Sequence, residues 1–283
     1  MKVLRIGAPG SERPAILTDE GRLLDLSTLT TDIDSTFLAS GGLRRARTAA
    51  RAGKLADLPF VDTRIGAPVT RPGKIVCIGL NYRDHAQETG APIPSRPVVF
   101  LKDPATVVGP RDTVSIPRGS TKTDWEVELA VVMGNRARYL ESPDDATDVI
   151  AGYTISNDVS EREFQLEYSG QWDLGKSCET FNPLGPWLVT PDEVGDPQSL
   201  ALRLSVNGVP RQHGNTENMI FDVPYIVWYL SQYMVLEPGD VINTGTPAGV
   251  ALGLPDTPYL RPGDIVELEI AGLGTQRQVL DQA

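Results

Sequence analysis

The run Asp124-Trp125-Glu126-Val127-Glu128-Leu129 places three carboxylates at alternate positions. Side chains alternate faces along a strand, so Trp125, Val127 and Leu129 would enter a core while Asp124, Glu126 and Glu128 share the opposite face. Like charges that close repel unless a cation joins them, and an all-oxygen donor set favours Mg²⁺, Mn²⁺ or Ca²⁺. The same pattern also describes an acidic strand face turned to solvent. A further acid, Asp158, ends the run Ile155-Ser156-Asn157-Asp158, where a strand gives way to a helix. It reads as a ligand or as a helix cap. Arg162 and Gln165 follow at i, i+3 on one side of that helix, where they could hold a substrate carboxylate and carbonyl, or where Arg162 could simply be solvated.

The chain has two histidines, which excludes a three-histidine metal site. His85 and Glu88 are i, i+3 neighbours in a helical turn, and a carboxylate beside an imidazole makes a general-base pair. His213 lies in a polar stretch after a hairpin signal and reads as structural or solvent-facing. The run Asn243-Thr244-Gly245-Thr246-Pro247-Ala248-Gly249-Val250 has small residues whose backbone amides can approach an anion, but it lacks the Gly-Lys-Ser/Thr of a phosphate loop. Lys176 is a lone cation.

These residues need elements to hold them. From Pro72 onward short strands rich in β-branched residues dominate: Ile75 to Ile78, Val98 to Leu101, Trp125 to Met133, Ala151 to Asn157, Trp187 to Thr190, Leu200 to Val206, Asp240 to Thr244 and Asp264 to Ile270. Asn207-Gly208 predicts a hairpin turn. Ser142-Pro143-Asp144-Asp145 opens a helix to about Ile150, and Asp222 caps another through about Met234. Before this lies a different region, with strands at Lys2 to Ile6, Ala15 to Thr18 and Leu23 to Leu26. A helical stretch from Ser35 to Gly53 follows, broken at Gly41-Gly42, and an extended one from Leu58 to Arg71. We expect a small N-terminal α+β domain over residues 1–70 and a mainly β catalytic domain over 71–283. Strands do not alternate with long helices, which argues against Rossmann and TIM-barrel folds.

Composition sets further bounds. The 283 residues carry 26 Lys plus Arg against 37 Asp plus Glu, a net charge of −11, which disfavours nucleic acid and anionic membranes as partners. Two cysteines, Cys77 and Cys178, exclude a disulfide framework and suit a reducing cytoplasm. The opening MKVLRIGAPG lacks an export-type apolar region, and no apolar run approaches about 18 residues, so we expect no membrane span.

Taken in order, Gly79-Leu80-Asn81-Tyr82-Arg83-Asp84-His85, Asp124-Trp125-Glu126-Val127-Glu128, Ser156-Asn157-Asp158-Val159-Ser160-Glu161-Arg162, Asp173-Leu174-Gly175-Lys176 and Thr244-Gly245-Thr246-Pro247-Ala248-Gly249-Val250 resemble the fumarylacetoacetate hydrolase family. The resemblance spans residues 72 to about 270. It implies a mixed β-roll, a homodimer and a small oxo-acid substrate. It implies Glu126, Glu128 and Asp158 as ligands of a divalent cation, Mg²⁺ first, with Mn²⁺ or Ca²⁺ as alternatives. Asp124 stays outside that ligand set. The resemblance further implies His85 and Glu88 as the water-activating pair, on a segment that orders over ligand, with Lys176 catalytic and Arg162, Gln165 and Thr246 on substrate. The start Met1 to Gly7, the run Ile116 to Glu126 and Gly214 to Phe221 resemble the branch of 2,4-diketo-3-deoxy-L-fuconate and -L-rhamnonate hydrolases. The expected reaction is hydrolytic C–C cleavage of a 2,4-diketo acid to pyruvate and a second acid. Decarboxylation, isomerisation of a 2-hydroxydienoate diacid, a ureidoglycolate lyase activity and metabolite binding without catalysis are the alternatives.

Overall fold

The computed structural model describes residues 1–59 and 63–283. The strands are β1 (Lys2–Ile6), β2 (Arg13–Leu17), β3 (Leu23–Asp25), β4 (Asp57–Leu58), β5 (Ile65–Gly66), β6 (Ile75–Gly79), β7 (Val98–Lys102), β8 (Val107–Val108), β9 (Val114–Ile116) and β10 (Thr123–Asp124). They continue with β11 (Val127–Met133), β12 (Ile150–Asn157), β13 (Ser160–Glu161), β14 (Asn182–Val189), β15 (Ala201–Val206), β16 (Val209–Asn215), β17 (Val241–Asn243), β18 (Ile265–Ile270) and β19 (Gly274–Gln282). The fold is mostly β with mixed sheets, as the sequence predicts.

The larger sheet runs β4-β3-β2-β1-β14-β12-β11-β17-β6-β7, and a five-stranded sheet runs β16-β15-β18-β19-β9. The second sheet packs on the middle of the first. Val127, Leu129, Val131 and Met133 of β11 meet Leu202, Leu204, Val266 and Leu268 in one core. The alternate residues Ala130 and Val132 enter another core, with Phe37 and Leu38 of the helix Ser35–Ala39 and Ala46 of the helix Gly42–Arg51. Strand β11 is therefore buried on both faces, which is why it reads Val-Glu-Leu-Ala-Val-Val-Met with Glu128 as its one charge.

The two N-terminal helices break at Gly41-Gly42 as expected, with Gly41 at φ 72°. The N-terminal strands extend the larger sheet: Lys2 pairs with Val189 and Val3 with Leu188. The boundary near residue 70 is proposed as one between folding units, although hydrogen bonds from β1 to β14 run across it. Of the extended stretch predicted from Leu58 to Arg71, residues 60–62 lie outside the described residues.

Asn207 and Gly208 both have positive φ, 50° and 75°, the requirement of a tight primed hairpin turn between β15 and β16. Asp222 caps the helix Val223–Ser231 by accepting from the Tyr225 amide at 2.8 Å. The helix predicted after Ser142 is a 3₁₀ turn over Pro143–Asp148. The strand predicted from Trp125 to Met133 begins at Val127 as β11; Trp125 and Glu126 lie outside it, between β11 and the short β10, which pairs with β13. No helix of the described residues is long and apolar enough to cross a membrane.

Gly152 in β12 lies against β14, and a Cβ there would sit 2.3 Å from the carbonyl oxygen of Val189. Backbone in a paired strand cannot yield cheaply. Gly152→Ala is expected to cost about 2–3 kcal/mol, read as a lower denaturant midpoint at unchanged slope.

Candidate active site and metal centre

The acids come together through strand register. Val127 faces Asn157 and Glu128 faces Ser156 across β11 and β12. Just beyond the paired residues, the Asp158 amide donates to the Glu126 carbonyl at 2.9 Å. Asn157 locks this corner by accepting from the Glu126 amide at 3.2 Å. One ligand atom from each of Glu126, Glu128 and Asp158 then lies within 4.8 Å of the others, and all three residues are buried. The reading of an acidic face open to solvent is thereby corrected: Asp124, too, is fully buried.

Buried carboxylates need partners. Lys176, in the short helix Asp173–Lys176, donates to Glu126 at 2.7 Å and to Asp158 at 3.0 Å. Arg162 donates through Nη2 to Glu126 at 2.6 Å and through Nε to Asp124 at 2.8 Å. Its Nη1 donates to Gln165 Oε1 at 2.9 Å, so the predicted i, i+3 pair forms, on a helical stretch that continues as a π-helix from Phe164 to Tyr168.

Lys102 escapes the sequence reading. Its ammonium contacts Asp158 Oδ1 and donates to the carbonyls of Val159 at 3.0 Å and Phe181 at 2.7 Å, which uses all three of its donors. The available signal was phase: Phe100 and Lys102 occupy the buried positions of β7, while Val99 and Leu101 are exposed.

Glu128 differs from the other acids. Among the described residues no cation contacts it, and its Oε2 accepts from the Gly245 amide at 2.8 Å. Gly245 stands at φ 99°, and a Cβ there would lie 2.7 Å from Asn81, so the close approach of this amide requires glycine. Burial, and then the charges of Asp158 and Glu126, raise the Glu128 pKa well above the ordinary carboxylate value. Burial works the same way on Glu126, but Lys176 and Arg162 outweigh it and bring its pKa to about 2. Three hard oxygen donors, one of them lacking a countercharge, fit a divalent cation.

His85 and Glu88 lie on the helix Arg83–Glu88, with His85 Nδ1 3.3 Å from Glu88 Oε2. Asn81 anchors the start of this segment by donating to the carbonyls of Phe221 at 3.0 Å and Thr244 at 2.7 Å. His85, Glu126, Glu128, Arg162, Gln165, Lys176 and Thr246 open on one cleft of about 180 Å³. Phe100, Trp172 and Leu252 form apolar parts of its wall, and Lys176 Nζ sits 5.0 Å from the centre of the Phe100 ring. Asp158 lies beneath this surface. The Thr246 hydroxyl donates to the Val127 carbonyl at 2.9 Å and accepts from Gln212 Nε2 at 2.8 Å. Gln212 was another residue the sequence left unmarked. His213 is exposed on β16, in a broad groove of about 900 Å³ on the five-stranded sheet.

A cation entering this centre competes with the proton that the raised pKa keeps on Glu128. Affinity is therefore expected to rise with pH through the Glu128 titration, while Glu126 adds no dependence above the acidic range. Calorimetry of Mn²⁺ binding in buffers of different ionisation enthalpy checks this. Net proton release on binding, falling away as pH rises through the Glu128 titration, is the expected result, and no release at any pH would contradict it.

The family model described as fumarylacetoacetate (FAA) hydrolase C-terminal matches residues 74–281. A relative from Burkholderia multivorans that carries a hydrolase name is 52% identical over 282 residues, 99% of this chain and 98% of the relative. The crystal structure of maleylpyruvate hydrolase from Sphingobium sp. SYK-6, in complex with manganese(II) ion and pyruvate, is 29% identical with a TM-score of 0.82 and full coverage of both chains. That of 2-hydroxyhepta-2,4-diene-1,7-dioate isomerase from Mycobacterium marinum is 34% identical, with a TM-score of 0.76, and covers 100% of this chain and 98% of that one. The chain belongs to the fumarylacetoacetate hydrolase family.

Proposed function

We propose that this protein is a divalent-cation-dependent hydrolase that cleaves a 2,4-diketo acid to pyruvate and a second carboxylic acid. A 2,4-diketo-3-deoxy sugar acid of the fuconate or rhamnonate type is the proposed substrate. The observation that carries the reading is one cleft lined by His85, Glu126, Glu128 and Lys176, with Glu88 paired to His85 and Asp158 completing the acid triad behind the surface. Glu126, Glu128 and Asp158 would hold the cation, which supplies Lewis acidity for the oxygens of the keto-acid end.

The chain's own groups account for the remaining steps. His85, oriented by Glu88, accepts a proton from water as the water oxygen bonds to C4. The C3–C4 bond then breaks, its electron pair passes into the pyruvate enolate, and C3 takes a proton. Lys176 places an ammonium beside the developing enolate charge. Two of its donors go to Glu126 and Asp158, leaving one for substrate. Arg162, Gln165 and Thr246 line the cleft where the substrate carboxylate and carbonyl would lie. Mg²⁺ is the proposed cation, with support for Mn²⁺ from the maleylpyruvate hydrolase structure. We also infer a cytoplasmic homodimer; two free cysteines are compatible with that compartment.

The similarity to a dienoate isomerase supports a second reading, in which His85 shuttles a proton and no bond to water forms. Product analysis over a panel of 2,4-diketo acids and 2-hydroxydienoates separates the two. Hydrolysis gives two acids, one of them pyruvate, whereas isomerisation leaves the mass unchanged.

Turnover is expected to vanish in EDTA and return with Mg²⁺ or Mn²⁺. His85→Ala is expected to lower kcat by about 10²–10⁴-fold with cation affinity preserved, and His213→Ala to change kcat little. A crippling His213→Ala beside a mild His85→Ala would assign the base elsewhere.

A further inference from the structure

We propose that Asp124 is a positioning residue that couples Arg162, on one wall of the cleft, to the loop that holds Glu88 against His85. The proposal rests on the His85–Glu88 pair acting as the base. Asp124 is fully buried, and its carboxylate accepts four hydrogen bonds. Oδ1 takes the amides of Trp125 at 2.8 Å and Ala251 at 2.7 Å; Oδ2 takes the amide of Leu252 at 3.0 Å and Nε of Arg162 at 2.8 Å. One side chain thus clamps the turn Ala251–Gly253 to the guanidinium.

The same loop reaches Glu88. The Gly249 amide donates to Glu88 Oε1 at 2.9 Å, leaving Oε2 for His85 Nδ1 at 3.3 Å. Gly253 packs so closely that a Cβ there would lie 2.3 Å from Glu88 Cδ. Trp125 Nε1 adds a tether by donating to the Gly249 carbonyl at 3.1 Å. A continuous path therefore joins Arg162, Asp124, the loop Gly249–Gly253, Glu88 and His85. The base is thus held by a loop whose position depends on the arginine proposed to meet the substrate. Asp124 touches neither substrate nor cation in this arrangement; it acts through the loop.

A double-mutant cycle tests the coupling. In Asp124→Asn an amide NH₂ replaces Oδ2 and faces two donors, Leu252 N–H and Arg162 Nε–H, so the clamp opens. Asp124→Asn is expected to lower kcat by about tenfold and Glu88→Gln by about 10²-fold. The double variant is expected to stay within about threefold of Glu88→Gln, because both changes disable one pair. Mn²⁺ affinity, measured by calorimetry, verifies that each variant retains the acid triad. Independent effects, multiplying to about 10³-fold, would overturn the proposal and leave Asp124 a support for stability or for Arg162 alone.

Gly253→Ala leaves the four hydrogen bonds of Asp124 in place and pushes the end of Glu88, from Cγ outward, away from its place beside His85. It is expected to fold, to bind Mn²⁺ as the wild type does and to lose about tenfold in kcat. Wild-type kcat in Gly253→Ala would also overturn the proposal, and this variant carries the cycle with Glu88→Gln if Asp124→Asn does not fold. If Glu88→Gln alone retains wild-type kcat, the base assignment itself fails and the proposal fails with it. A damaging Glu88→Gln with multiplying effects removes the coupling only.

Discussion

The interaction on which this structure turns is the burial of four carboxylates in one small volume. Asp124, Glu126, Glu128 and Asp158 are all removed from water, and each would cost several kcal/mol if left ionised and unpartnered. Lys102, Lys176 and Arg162 answer three of them. Asp158 takes both lysines, Glu126 takes Lys176 and Arg162, and Asp124 takes Arg162. Glu128 has only a backbone amide. The imbalance falls on the one acid whose pKa is driven well up, and that is where a divalent cation would gain most. A divalent cation at this corner would complete the charge of the cluster.

The rest of the architecture is arranged around that corner. Strand β11 runs through the middle of the larger sheet with a core on either face, so its backbone offers little freedom for Glu126 and Glu128 to move. Strand β12 brings Asp158 alongside by register, and β17 leads into the Thr244–Gly245 turn that reaches Glu128. The five-stranded sheet closes one side of the site through Gln212, whose side chain accepts from the Val127 amide at 3.0 Å and donates to Thr246. Gln212 thus satisfies the Val127 amide and holds the Thr246 hydroxyl, which fixes this side of the cleft.

Much of this was legible in the sequence because alternation and turn chemistry are local. The two-residue spacing of Glu126 and Glu128, the strand end at Asp158, the i, i+3 pairs and the Asn207-Gly208 turn all follow from short-range geometry. What escaped depends on contacts between distant segments. Lys102 looks like a strand-end lysine until Phe181 and Asp158 fold onto it. Strand β19 reads Gly-Thr-Gln-Arg-Gln-Val-Leu-Asp-Gln, and its buried positions include Gln276 and Gln278. Their amides donate to the carbonyls of Ile155 and Pro110, so burial there is bonded rather than hydrophobic and no apolar pattern announces it. The acids themselves show the same limit. Spacing places Asp124 with Glu126 and Glu128, while only the folded chain shows that it faces Arg162 and the amides of Ala251 and Leu252.

The proposed role of the buried acids is to hold a cation. Crystals soaked in Mn²⁺ and measured at the manganese absorption edge test it most directly. One strong anomalous peak within coordination distance of Glu126, Glu128 and Asp158 is the expected result. A peak only elsewhere on the chain, or none at saturating Mn²⁺, would contradict it.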